Sequence, residues 1–216
     1  MSSGPAAGSS GSVLVVRRSV VTACCSITDA GTACVVNASN PTATLGGGVS
    51  RALFDECGGE VLQAEMRDAL AGTPDGAIEM DDCIVTSGGS SAKSRFVLHV
   101  ASVDYRGVKA KAGADGSVEK AVSSADRVQR ATAAALRSAA ELAGKLEIDD
   151  LSVAFPLLGA GSGGLAPVES MRAMVRGLRA FFRDEPDAPI AKIVFAIPEA
   201  DRVVLCQQAL EAFLVR

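Results

Sequence analysis

Short runs of β-branched and other apolar residues alternate along this chain with segments of helical periodicity. Several of the runs are apolar throughout, which is typical of strands that are covered on both faces of a sheet. Strands of this kind, separated by helices, predict a three-layer α/β/α sandwich. The predicted strands are residues 13–16, 19–23, 33–36, 83–86, 96–100, 151–155 and 190–197.

The predicted helices have recognisable start and stop signals. A pair of glycines separates two short helices, 51–57 and 60–70, because consecutive glycines are unfavourable inside a helix. Ser123 and Asp126 have the spacing of a capping box, which predicts a long alanine-rich helix that ends near Gly144. Two further helices are predicted, one beginning at Pro167 and one spanning about residues 199–214.

The length and composition of the chain fit a single folded domain. Its 216 residues are 48% apolar, which is enough for one sizeable core. Residues 1–12 consist almost entirely of Ser, Gly, Ala and Pro, and we expect them to form a disordered tail ahead of a domain that spans residues 13–216. Residues 105–120 are predicted to form a long surface loop.

Charge and cysteine content argue against several classes of function. The net charge of −4 disfavours binding to nucleic acid, which needs a basic surface. The six cysteines form no C-x-x-C pair, and with a single histidine, His99, they show no zinc-ligand spacing. We therefore expect no metal or other cofactor, and buried free thiols in the cytoplasm or nucleus. No apolar run approaches the ~20 residues of a membrane span, so no membrane association is expected.

Two glycine-rich segments, each placed after a predicted strand, are the strongest functional signal. The first has Asn37 and Asn40 ahead of three glycines at 46–48, and the second has a Gly-x-Gly-x-Gly-Gly pattern at 159–164. Glycine loops expose backbone N–H groups, and a helix N-terminus after such a loop favours negative charge. Carboxamides beside them either satisfy backbone groups or bind sugar hydroxyls. The two segments together predict a ligand that carries phosphate groups.

Two common phosphate-binding fingerprints do not fit these segments. A dinucleotide fingerprint requires its glycines after the first strand and an acidic residue about 20 residues later. Here the second segment comes late in the chain, and the acidic residues at that distance, Asp184 and Glu185, end a predicted helix instead of a strand. No Gly-Lys-Ser/Thr ending marks a P-loop.

Five short motifs occur in order along the chain. They are Ile27-Thr28, Val36-Asn37-Ala38-Ser39-Asn40, Leu45-Gly46-Gly47-Gly48-Val49, Phe96-Val97-Leu98-His99, and Ala154-Phe155-Pro156 with Gly159-Ala160-Gly161. In this order and approximate spacing they resemble the macro domains, a family that binds ADP-ribose, over roughly residues 20–214. The resemblance implies one macro-like domain with a mixed, mostly parallel sheet.

The resemblance also implies roles for individual residues. Loops 46–49 and 159–164 would clamp a diphosphate from two sides, Asn40 would hydrogen-bond the distal ribose, and the backbone of Ile27 would lie against the adenine. We interpret His99 as a core residue. The implied ligand-binding residues are Ser26, Ile27, Asn37, Asn40, Gly46, Gly47, Gly48, Val49, Leu158, Gly159, Ala160, Gly161, Ser162, Gly163 and Gly164.

Three positions depart from the family pattern. Ser26 stands where many members have an aspartate that holds the adenine amino group, so that contact is expected to be weaker by ~1 kcal/mol. Ser50 stands where hydrolytic members often have an aspartate that orients a water molecule, and the usual general base is therefore missing. Gly163 stands where a side chain, often aromatic, covers the ligand, so we expect a more open pocket.

Three functions remain open from these resemblances and departures. The first is binding of ADP-ribose or a related nucleotide, either free or attached to ADP-ribosylated proteins. The second is hydrolysis of a mono-ADP-ribosyl group or of O-acetyl-ADP-ribose, for which Asn40 is the catalytic candidate. The third is a degenerate macro fold that has lost the ligand and acts as an interaction module.

Overall fold

Six β-strands form one sheet within residues 18–106 and 122–214, the parts of the chain that the computed structural model describes. They are β1 (Ser19–Ala23), β2 (Cys34–Ser39), β3 (Ile84–Ser87), β4 (Phe96–Ala101), β5 (Leu151–Phe155) and β6 (Ile190–Ala196). Their order across the sheet is β1-β6-β5-β2-β4-β3. All neighbouring strands are parallel except β3, which is antiparallel to β4. The mixed, mostly parallel sheet is therefore confirmed.

Helices pack on both faces of this sheet. They are α1 (Gly48–Glu56), α2 (Glu60–Ala71), α3 (Ala125–Leu146), α4 (Pro167–Asp184) and α5 (Ala200–Leu214). Side chains of α3, α4 and α5 form one buried apolar cluster with the sheet, and those of α1 and α2 form a second. On β2, Val36 belongs to the first cluster and Val35 to the second, because successive strand side chains point to opposite faces. This arrangement confirms the three-layer sandwich.

The helix boundaries lie close to the predicted ones, with one correction at the start of α3. Pro167 is the first residue of α4, as predicted. The capping box at Ser123 is wrong: Ser124 caps α3, and its hydroxyl oxygen accepts the backbone N–H of Arg127 at 3.1 Å. The hydroxyl of Ser123 donates instead to the carbonyl oxygen of Ser102 at 2.7 Å. A contact with the chain after β4 therefore decides which of two adjacent serines caps the helix.

Three sequence predictions fall on residues outside the described ranges. These are the disordered tail 1–12, the strand 13–16, and the loop 105–120 beyond its first two residues. The cysteines can be described, and all six are free thiols. Cys34, Cys57 and Cys206 are buried, but Cys24 is exposed and the other two are half-buried, so the expected burial holds for half of them. Within residues 18–106 and 122–214, no helix is long and apolar enough to cross a bilayer.

Candidate functional site

A cleft lies along the carboxyl-terminal ends of the parallel strands. Ligands of open α/β sheets bind at these ends, because loops from several strands converge there. Two adjoining cavities of about 320 and 470 Å³ share Gly48, Val49, Leu157 and Gly161. We call the first cavity the apolar end of the cleft and the second its polar end. The polar end is bordered by Ser39, Asn40, Ser50, Ser102, Tyr105 and Ser162, among others.

The first glycine loop, residues 46–49, leads into α1 and borders both ends of the cleft. A Cβ atom added to Gly46, Gly47 or Gly48 would meet no atom of the other described residues within 4 Å, so these glycines face open space. Gly48 has a φ of +55°, a conformation that favours glycine. In the part of the chain that the structure describes, no side chain caps α1, and its first N–H groups have no intrahelical acceptor. This loop therefore presents backbone donors at a helix N-terminus, which is a suitable site for an anion.

The second glycine loop, residues 159–164, connects β5 to α4 and folds back on itself. Its glycines have different roles. A Cβ atom on Gly163 would lie 2.4 Å from the carbonyl oxygen of Gly159, whereas one on Gly161 would meet nothing within 4 Å. Gly159 and Gly164 have φ values of +73° and +80°. Gly161 borders both ends of the cleft, and so it is the glycine of this loop that a ligand can approach most freely.

Replacing Gly163 with alanine is expected to lower the free energy of unfolding by about 1–3 kcal/mol, because the new methyl group would collide with backbone that cannot move aside. The matched control is Gly161→Ala, which makes the same change in the same loop but into open space, and it should stay within about 0.5 kcal/mol of the wild type. Urea unfolding of both variants measures the difference. Equal stability of the two would contradict the close approach of Gly163 to Gly159.

Asn40 lies at the polar end with its side chain held in place. Its Oδ1 atom accepts the backbone N–H of Thr42 at 3.0 Å and the Thr42 hydroxyl at 2.8 Å. Within the described residues the hydrogen bonds of this side chain are made by Oδ1, so the Nδ2 amide is the group that can donate to a ligand. Ser26 and Ile27 border the apolar end, and Ala160 does so as well. Each of these residues therefore lies where a ligand contact is predicted.

Asn37, Leu158 and Gly164, which are also predicted to bind the ligand, lie outside the lining of the cleft. Asn37 is fully buried because β2 extends to Ser39 and includes it, so its side chain lies in the core beneath the loop. The side chain of Leu158 is also fully buried, within the apolar cluster under the second glycine loop. Gly164 borders neither end of the cleft and instead closes a turn by donating its N–H to Gly161. The structure does not bring these three residues to the lining of the cleft, and their contacts with a ligand stay predictions.

His99 lies in the centre of β4 and is fully buried, which confirms its interpretation as a core residue. Burial lowers the pKa of its imidazole to about 3, because charge is unfavourable in an apolar interior. The ring is therefore neutral at physiological pH. It contacts Asn37 at Nδ1, 3.0 Å away, and Thr86 at Nε2, 2.8 Å away.

A family model described as Macro domain matches residues 36–174. The chain belongs to the macro domain family. It is 33% identical over 138 residues to an uncharacterised protein of Aeropyrum pernix, and the match covers 64% of this chain but only 59% of that protein. The chain therefore spans somewhat more than half the length of this relative.

Solved macrodomains have the same fold. The Oceanobacillus iheyensis macrodomain with ADP superposes with a TM-score of 0.66 at 22% identity, covering 91% of this chain and 90% of that one. The Trypanosoma brucei macrodomain in complex with ADP-ribose gives 0.63 at 21% identity, covering 88% of this chain and 68% of that one. At this level of identity the likeness establishes the common fold.

Sequence reasoning missed Tyr105, the single tyrosine of this macro domain. It follows β4 and borders the polar end, and its hydroxyl donates to the Ser162 hydroxyl at 2.9 Å. An aromatic ring therefore stands beside the second glycine loop even though Gly163 has no side chain. Two features of the sequence could have identified it: Tyr105 is the single tyrosine of the chain, and it comes shortly after the predicted strand 96–100.

Glu199 and Arg202 were also missed. They border the apolar end of the cleft and form an ion pair of 3.2 Å at the start of α5. Among the described residues that line the cleft, Glu199 and Arg202 are the two with charged side chains. Arg51, beside the first glycine loop, is exposed and pairs with Asp55 at 2.8 Å. No motif marks Glu199 and Arg202, because they reach the cleft through the parallel pairing of β6 with both β1 and β5.

Proposed function

We propose that this macro domain binds ADP-ribose, free or attached to protein, along the cleft between its two glycine loops. The observation that carries the proposal is the cleft itself, whose two ends differ in character and whose middle is formed by both loops. ADP-ribose has the same order of parts: a flat apolar base, two phosphates and a second sugar. Macrodomains of the same fold that have been solved with ADP and with ADP-ribose support this assignment.

The diphosphate is proposed to lie between the first and second glycine loops. Gly46, Gly47 and Gly48 leave the N-terminus of α1 uncovered, and Gly161 stands open on the other side of the cleft. Backbone N–H groups and the helix dipole stabilise phosphate without a cationic side chain. This explains how a chain with a net charge of −4 can bind an anionic ligand.

The adenine is proposed to occupy the apolar end, and the distal ribose the polar end. The walls of the apolar end are formed by the side chains of Ile27, Ala196 and Ile197, among others. Ser26 borders this end, where its hydroxyl offers the base a neutral contact in place of a carboxylate. That hydroxyl lies 3.1 Å from the hydroxyl of Thr28. At the polar end, the Asn40 amide supplies a donor for a sugar hydroxyl.

Calorimetric titration with ADP-ribose tests this proposal. We expect saturable heat and a raised melting temperature, since a ligand that binds only the folded state stabilises it. ADP serves as the comparison ligand because it has no distal ribose. Absence of both heat and thermal shift at millimolar ADP-ribose would contradict the proposal and leave an interaction module as the remaining function.

A reader of ADP-ribosylated proteins fits the site better than a hydrolase. Within the described residues no carboxylate borders the polar end, so a general base is missing where the distal ribose would lie. Incubation with a mono-ADP-ribosylated protein separates the two: a reader retains the modified protein, and a hydrolase releases ADP-ribose. Asn40→Ala should abolish release, if there is any, without unfolding the protein.

Because the six thiols are free, we propose that this macro domain acts in the reducing cytoplasm or nucleus.

A further inference from the structure

Four buried polar side chains connect the first glycine loop to the far strand of the sheet. Ser50 lies in the first turn of α1, Asn37 on β2, His99 on β4 and Thr86 on β3. The Ser50 and Asn37 side chains are 2.8 Å apart, those of Asn37 and His99 3.0 Å, and those of His99 and Thr86 2.8 Å. All four residues are at most 5% exposed. They form a continuous hydrogen-bonded chain, which we call the buried relay.

The direction of the buried relay follows from its far end. The Thr86 hydroxyl donates to the carbonyl oxygen of Ser87 at 3.1 Å, so its oxygen is available to accept from Nε2–H of His99. A neutral imidazole that is protonated at Nε2 has a lone pair at Nδ1. That lone pair accepts the Nδ2 amide of Asn37. The opposite direction would take the Thr86 hydroxyl away from the Ser87 carbonyl.

The near end of the relay fixes the proton of Ser50. With its amide nitrogen turned to His99, Asn37 presents Oδ1 to Ser50, whose hydroxyl donates to it at 2.8 Å. The second acceptor near that hydroxyl is the carbonyl oxygen of Ala38 at 3.4 Å. Both acceptors belong to β2, so the proton points into the core. A serine hydroxyl has one proton and two lone pairs, and the lone pairs are what remain for the cleft.

We propose that Ser50 is a fixed hydrogen-bond acceptor at the polar end of the cleft, where it selects a ligand that carries a sugar hydroxyl. A hydroxyl of the ligand donates to Ser50, whereas a phosphate oxygen, which only accepts, is disfavoured there. Asn37, His99 and Thr86 are positioning residues, since they act only through Ser50. This proposal rests on the proposed function for the identity of the sugar, which is the distal ribose of ADP-ribose.

The tautomer of His99 tests the relay without any ligand. His99 is the single histidine of the chain, so its ring nitrogens give one unambiguous set of signals in a long-range ¹⁵N–¹H NMR spectrum. We expect Nε2 to be protonated and Nδ1 to be bare. A proton on Nδ1 would reverse the relay, free the Ser50 hydroxyl to donate to the ligand, and overturn the proposal. This result does not depend on whether ADP-ribose binds.

Two substitutions at Ser50 test the acceptor role by the ratio of the affinities for ADP-ribose and ADP. Ser50→Ala removes the acceptor, and the ratio should fall about tenfold, which is the effect of one lost hydrogen bond. Ser50→Asp keeps an acceptor, so the ratio should stay near the wild-type value, even though the added charge weakens both ligands. An unchanged ratio in Ser50→Ala would overturn the proposal. A complete lack of ADP-ribose binding by the wild type would instead contradict the proposed function.

The same aspartate variant has a second expected result in the NMR spectrum. A carboxylate cannot donate to Asn37, so the Asn37 amide must turn its Nδ2 to the carboxylate and its Oδ1 to His99. The His99 proton should then move from Nε2 to Nδ1. A purely structural role of Ser50 would leave the tautomer unchanged, and that outcome would overturn the relay.

Discussion

Replacing Gly161 with glutamate is expected to abolish binding of ADP-ribose while the protein stays folded. The Cβ position of Gly161 is open, so the new side chain can be accommodated by the loop, but it extends into the cleft between the two glycine loops. There its carboxylate would face a diphosphate. Like charges 4 Å apart repel by about 1 kcal/mol in water and by about 4 kcal/mol near a protein surface. We expect calorimetric affinity to fall more than about 100-fold, equivalent to roughly 2.7 kcal/mol.

Three comparison variants show which property of the glutamate is responsible. Gly161→Gln adds nearly the same bulk without the charge, and its affinity should lie between those of the wild type and the glutamate variant. Gly144→Glu adds the same charge at an exposed, open glycine in α3, away from the cleft, and should bind normally. Gly47→Glu makes the charge change in the first glycine loop. Retained affinity in both the Gly161 and the Gly47 glutamate variants would show that the loops do not hold the diphosphate.

Local signals in the sequence were sufficient for the layers of the fold and for the placement of both glycine loops. Apolar runs of strand length and a proline at a helix start depend on a few neighbouring residues, and the structure confirms them at β2, β5 and Pro167. The open glycines of the first glycine loop are also a local signal. Their backbone conformation and missing side chains are properties of the residues themselves.

The errors and omissions occur where a distant contact decides the role of a residue. Asn37 has the type of side chain that binds ligands, and it lies next to a glycine-rich segment. Its partner His99 is far away in sequence and becomes its neighbour only through the pairing of β2 with β4. Ser123 and Ser124 are equally good caps, and the carbonyl of Ser102 takes one of them. Tyr105 reaches the cleft only because the chain after β4 passes the second glycine loop. No local pattern contains these contacts.

Acidification should destabilise this protein through His99. Burial lowers the pKa of its imidazole to about 3, from 6.5 for an exposed histidine. Between these two pH values the unfolded chain binds a proton at His99 that the folded chain does not bind. The free energy of unfolding therefore falls as the pH falls below 6.5, by ~1.4 kcal/mol per pH unit. Above pH 6.5 both states are neutral at this residue, so His99 adds no pH dependence there.

Comparison with His99→Gln isolates this effect, because glutamine keeps a polar side chain but does not titrate. At neutral pH the variant should be less stable, since the relay from Ser50 to Thr86 loses its fit. The difference in unfolding free energy should then shrink by about 2 kcal/mol between pH 6.5 and roughly pH 5, because only the wild type has a histidine to protonate on unfolding. Urea unfolding at several pH values measures it, and the carboxylates shared by both proteins cancel in the difference. Parallel pH profiles would contradict a neutral, buried His99 and with it the protonation state on which the buried relay depends.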